Sequence, residues 1–233
     1  MNCRLCLQPK ELRKSHIISE FFYKPVYIES HKLKLIPNFH GIKKYRNLQK
    51  GIREKLLCNE CEQLRSSWEK YVRDVFFGSE IEALNTKTQI KIRNLEYQQF
   101  KLFGLSLIWL ASISSEPFFS YINLGPHEEK VRKMIFKRDP GLPHEYGLMI
   151  IAVSLNNTSI EDLIMQPDEI RVDGHRCLRF FLGSCLWLFN VSSHSHLFGG
   201  KNYFLQKDGS LIVPKKTAEN LELFQKFALQ VTL

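Results

Sequence analysis

Four cysteines stand in two pairs of equal spacing, Cys3-x-x-Cys6 and Cys58-x-x-Cys61. Two intervening residues let both thiolates of a pair reach one ion from a tight turn. Two such pairs complete a closed tetrahedral site of the kind that holds structural zinc. The spacing therefore predicts Zn2+ bound by Cys3, Cys6, Cys58 and Cys61. The 51 residues between the pairs exceed what a compact zinc ribbon needs, so the middle must fold out as an insertion. The other two cysteines, Cys177 and Cys185, lie in apolar strand-like runs and read as core residues.

Charge places the next candidate function. The chain of 233 residues carries 33 Lys and Arg against 24 Asp and Glu, a formal net charge of +9. Residues 1–101 hold 20 Lys and Arg against 11 Asp and Glu, whereas residues 102–233 hold 13 of each. All of the excess thus lies in the half that carries the cysteine pairs, which points to a polyanionic partner for that half alone. Lys32, Lys34, Lys43, Lys44, Arg46, Lys50 and Arg53 crowd the stretch between the pairs, with Tyr45 among them. They are the candidate nucleic-acid contacts. Binding through such a surface weakens steeply with salt and carries little base-sequence information.

These residues need elements to position them. A helix is predicted over 62–77, where Leu64, Trp68, Tyr71, Val72 and Val75 recur at spacings of three and four. Residues 81–96 read as a linker. The stretch 97–114 is apolar almost all round and predicts a buried helix. Gly125-Pro126 opens another helix, with Glu128 and Glu129 in its first turn and Lys137 and Arg138 near its end. Strand-like runs follow at 148–154, 170–172, 177–182 and 185–191. Asp173-Gly174 and Asp208-Gly209 are hairpin signals, the second flanked by 203–205 and 211–213. A final helix is predicted over 217–230. The alternate histidines of His194-Ser195-His196, flanked by Ser and Gly, read as a surface loop. The fold class expected is α+β: a zinc-binding N-terminal unit over 1–80 and an α+β domain with a mainly antiparallel sheet over 97–233.

The first third of the chain resembles a known family. Cys3-x-x-Cys6, then Ser15-His16-Ile17-Ile18, then Leu57-Cys58-x-x-Cys61 opening a helix, is similar to the four-cysteine HNH endonucleases. The resemblance implies a treble-clef, or ββα-metal, fold held by structural zinc, with the long basic stretch inserted in it. It implies that His16 is the general base, and a neutral imidazole suits that task near neutral pH. It implies a catalytic Mg2+ or Mn2+ near the helix start, with Glu62 as an oxygen ligand and Asn47 as the residue that orients the base. Ser15 stands where the family commonly has an acidic residue. Glu69, seven residues after Glu62, is either a further ligand or a solvated charge.

The resemblance makes a metal-dependent endonuclease the expected function, with DNA the favoured substrate and defence against invading DNA an architectural analogy. The alternative is a non-catalytic zinc module that binds nucleic acid or acts as an adaptor. Nothing in 97–233 names a chemistry: there is no phosphate loop and no nucleophile elbow. A regulatory, partner-docking or homo-oligomerising role is expected there. The longest apolar run, about 102–113, falls short of the roughly 20 residues that span a bilayer, so no membrane partner and a cytoplasmic location are expected.

Overall fold

A computed structural model describes residues 1–27, 51–78 and 81–224, together with the backbone of residues 32–34 and 47–49. The first turn is closed by Leu7 N–H donating to the Cys3 carbonyl at 2.8 Å, with Leu7 itself at a positive φ of 63°. Strand β1 (Leu12–His16) follows and pairs antiparallel with β4 (Arg53–Cys58). The register sets Leu12 opposite Cys58 and His16 opposite Arg53, with an irregularity between Arg13 and Lys14. Between these strands come helix α1 (Glu20–Tyr23) and two short antiparallel strands, β2 (Lys32–Lys34) and β3 (Asn47–Gln49). The pairing of β1 with β4 across that excursion is how the second cysteine pair returns to the first.

Strand β4 runs directly into helix α2 (Asn59–Phe77), with extended Cys58 as its N-cap. The helix starts three residues earlier than its apolar periodicity predicts, because Glu60 and Glu62 in the first turn complement the positive helix end. Cys61, Arg65, Trp68 and Val72 form its buried stripe, at the three-and-four spacing of one helical face. Helix α3 (Tyr97–Ile113) is buried without a break from Phe100 to Ala111, as its all-round apolar sequence requires. Helix α4 (Glu128–Lys137) follows a short turn at Gly125–His127.

The remaining strands are β5 (Ala83–Asn85), β6 (Gln89–Ile92), β7 (Leu148–Leu155), β8 (Thr158–Ser159), β9 (Met165–Val172), β10 (His175–Leu182), β11 (Cys185–Asn190) and β12 (Leu211–Thr217). They form one mixed sheet in the order β5-β6-β12-β7-β11-β10-β9, with β8 on β7. Every pair is antiparallel except β12 with β7. Asp173-Gly174 joins β9 to β10 with φ of 49° and 77°, the paired positive values of a tight hairpin turn. Gly183-Ser184 does the same for β10 and β11.

Three sequence expectations are corrected. Residues 81–96 are not a plain linker: they hold β5 and β6, where Ile90 and Ile92 pack on the core and Lys91 between them is exposed. Asp208-Gly209 makes a turn but no hairpin. Lys201–Tyr203 is a short 3-10 turn, the Leu205 N–H goes to the Leu148 carbonyl, and β12 pairs with β6 and β7 instead. The helix predicted over 217–230 starts later and is interrupted: β12 extends to Thr217, Ala218–Asn220 form a 3-10 turn, Glu222–Phe224 are helical, and 225–230 lie outside the described residues.

The core does not divide where the linker was expected. One cluster of buried side chains runs from Cys3 to Val213. At its centre Trp187 of β11 is stacked by Phe100 of α3 and Phe76 of α2, and met edge-on by Phe22 of α1. Polar ties join the same parts: both carboxylate oxygens of Glu54 on β4 accept bonds from Ser114 and Ser115 just after α3. Arg132 of α4 donates to the Leu5 carbonyl in the first cysteine turn. Among the described residues, no helix is long and apolar enough to cross a membrane.

Candidate metal centre and the cleft along the second helix

The hairpin of β1 with β4 and the start of α2 bring the four cysteines together. The sulfurs of Cys3, Cys6, Cys58 and Cys61 all lie within 4.8 Å of one another, and none is in a disulfide. Cys6 Sγ and Cys58 Sγ are 3.9 Å apart. Four thiolates around a zinc ion at bond lengths of about 2.3 Å have sulfurs about 3.8 Å apart, so the cluster fits a tetrahedral ion with little movement.

The electrostatics also suit a cation. Cys3 is buried, which opposes ionisation, yet backbone N–H groups of Cys6, Cys58 and Leu5 bring its thiol down to about 7. The Cys58 N–H reaches Cys3 Sγ at 3.3 Å. Burial pushes the thiols of Cys58 and Cys61 up, and for Cys61 the neighbouring Cys58 and Cys3 sulfurs push further in the same direction. Four thiolates cannot share so small a volume unless a dication offsets their repulsion. These four cysteines are thus placed to hold a metal such as zinc. Cys177 and Cys185 are apart from the cluster, and burial raises their thiols to about 11 and about 12, as inert core cysteines.

Further along the same hairpin and helix lies a cleft of about 230 Å³. One wall is the end of β1 and α1, with His16, Ser19, Glu20, Phe21 and Lys24. The other is the outer face of α2, with Ser66, Glu69, Lys70 and Arg73. Those four positions follow i, i+3, i+4, i+7, so a single helix face presents them all. His16 is half-buried, and its Nε2 accepts a hydrogen bond from Arg53 Nε at 2.7 Å. The same guanidinium reaches Glu20 at 3.8 Å. Glu69 accepts from Ser19 Oγ at 2.5 Å and pairs with Arg65 at 2.6 Å.

The other expected site residues fall elsewhere. Glu62 does not line the cleft; it sits one turn before it on α2, 4.0 Å from buried Arg65, and its Oε1 has no hydrogen-bond partner among the described residues. Glu69, open to two readings in the sequence, is the α2 carboxylate in the cleft. Ser15 is fully buried and points away from His16, as strand alternation demands. Asn47 lies in β3 and Lys32 and Lys34 in β2, where only the backbone is described. Lys43, Lys44, Arg46 and Lys50 lie outside the described residues. Arg53 is placed, but against His16.

Sequence reasoning missed the polar face of α2. Its signal was present in Ser66, Glu69, Lys70 and Arg73, flanking the buried stripe. It also missed that His127, His144 and His196 line one cavity of about 410 Å³ in the second half, an assembly that no spacing announces. Comparison of the chain with family models, with curated proteins and with solved structures finds no match.

Proposed function

We propose that the chain is a metal-dependent nuclease that hydrolyses phosphodiester bonds in nucleic acid, DNA being the favoured substrate, with a zinc-held treble clef as its scaffold. The observation that carries this reading is the convergence of His16 with Glu69, Lys70 and Arg73 across one cleft, built on the same hairpin and helix that gather the four cysteines. The knuckle, hairpin and helix succeed one another in the order the HNH resemblance implies.

The roles follow from the side chains. His16 takes a proton from water as the water oxygen attacks phosphorus; the bond from phosphorus to the leaving oxygen breaks, and that oxygen takes a proton from solvent. Lys70 and Arg73 attract and orient the phosphodiester through charge-assisted hydrogen bonds. Glu69 is the α2 carboxylate available to a divalent cation, and Ser19 and Arg65 fix its orientation. Mg2+ or Mn2+ there would supply positive charge at the scissile phosphate. The basic stretch between β1 and β4 would hold the flanking backbone.

The test is incubation of the purified protein with plasmid DNA and with RNA in Mg2+ or Mn2+, beside His16→Ala. Cleavage by the wild type and its loss in the variant support the reading. Equal cutting by both removes His16 from the mechanism. No cutting of either substrate by the wild type defeats the nuclease assignment.

A further inference from the structure

Arg53 was expected among the nucleic-acid contacts, yet its guanidinium is spent on the general base. A ring nitrogen that accepts a hydrogen bond carries no proton, so the 2.7 Å bond from Arg53 Nε makes Nε2 of His16 the bare nitrogen. In the neutral ring the proton is then on Nδ1. The cross-strand register explains the contact: His16 ends β1 and Arg53 opens β4, directly opposite each other. In this arrangement the lone pair that Nε2 would offer to water is already occupied.

The partner is exchangeable. Arg53 donates to a neutral imidazole and, among the described residues, reaches one carboxylate, that of Glu20, at 3.8 Å. The bond to His16 has one ionised partner, whereas a phosphate brings a second, opposite charge and matches the guanidinium with two parallel bonds. A phosphodiester drawn into the cleft by Lys24, Lys70 and Arg73 therefore competes well for Arg53. Among the described residues Glu20 and Glu69 are the opposing charges lining the cleft, and Glu69 is already held by Ser19 and Arg65.

We infer that Arg53 is a positioning residue acting as a substrate-released latch: it occupies Nε2 of His16 in the free protein and turns to the phosphodiester when nucleic acid enters. The base is thereby uncovered only when a phosphate is present. This rests on the nuclease reading for its purpose, but its first half is a property of the free protein.

The test is long-range proton–nitrogen NMR of the zinc-loaded protein at about pH 8, above the ordinary titration of imidazole. His16→Gln identifies the ring signals, and no divalent cation beyond zinc is added. In the free wild type, Nε2 is expected to be the unprotonated nitrogen. In Arg53→Met, the proton should move to Nε2, the form a neutral imidazole ordinarily prefers. A short DNA duplex added to the wild type should produce the same change as it shifts the signals of Lys70 and Arg73.

A protonated Nε2 in the free wild type overturns the latch. So does a duplex that binds the cleft and leaves Arg53 on Nε2, or one that shifts no cleft signal. The wild-type measurements decide the matter even if Arg53→Met does not fold. The nuclease reading fails separately, by absence of cleavage, and that result leaves the free-state tautomer standing.

Discussion

Cys58 closes the structure on Cys6, with their sulfurs 3.9 Å apart across 52 residues of chain. Cys58 is also the last residue of β4 and the N-cap of α2, so the ligand, the strand end and the helix start are one residue. A metal there would tie the start of α2 to the β1–β4 hairpin.

Cys58→Ser should therefore lose the metal and the fold together. Native protein is expected to contain about one zinc per chain by atomic absorption, and the variant much less. Loss of helical circular dichroism should accompany it, and a chelator should reproduce the effect on the wild type. A native preparation without metal would refute the assignment of the cluster.

Removing Glu69 should matter more than removing Glu62. Glu69 lines the cleft, whereas Glu62 lies outside it, 4.0 Å from Arg65. Glu69→Gln is expected to lower Mg2+-dependent cleavage by about 10²-fold or more, and Glu62→Gln by less than about tenfold. The comparison is of initial rates at saturating metal. The reverse order would return the role to Glu62.

Trp187→Ala should unfold both halves of the chain in one transition. The indole is fully buried between rings from α1, α2 and α3. Truncation of such a residue costs about 3–5 kcal/mol, or roughly 10 °C of melting temperature for a chain of this size. Two separated melting steps in the wild type would contradict the shared core.

Lys101 predicts a pH dependence. It is 1% exposed on α3, where Nζ donates to the Tyr146 carbonyl at 2.7 Å, and burial lowers it to about 7, with Glu145 opposing. The unfolded chain keeps this lysine protonated up to its ordinary value of 10.5, so between about pH 7 and 10 the unfolded state binds more protons than the folded one. Stability should thus rise with pH through that window, by at most about 1.4 kcal/mol per pH unit from this group. Lys101→Met should remove that part of the slope, read as the difference between denaturant titrations of the two proteins at pH 7 and 9. Parallel curves would show that Lys101 stays charged when folded.

The amino-acid sequence by itself determined what local spacing can carry. The two Cys-x-x-Cys pairs named their own ligand set, because four residues fix how two thiolates approach one ion. The three-and-four rhythm of residues 64–75 and the unbroken apolar run at 97–113 located two helices, since burial must follow the helical period. Asp173-Gly174 located a turn because few residues accept two positive φ values.

What depended on partners far along the chain was decided only by the tertiary structure. Ile90 and Ile92 looked like linker until an edge of the sheet received them, and Asp208-Gly209 lost its hairpin to strands that offered better pairing. Glu62 was the expected ligand and Glu69 an open reading; the tertiary structure put Glu69, and not Glu62, in one cleft with His16. Arg53 read as one more cation for a polyanion, and only the register of β1 on β4, set by residues more than thirty positions apart, put its guanidinium on His16. Spacing along a chain limits which neighbours a residue can reach within one element, but contacts between elements are selected by the burial of the whole core, which no single segment encodes.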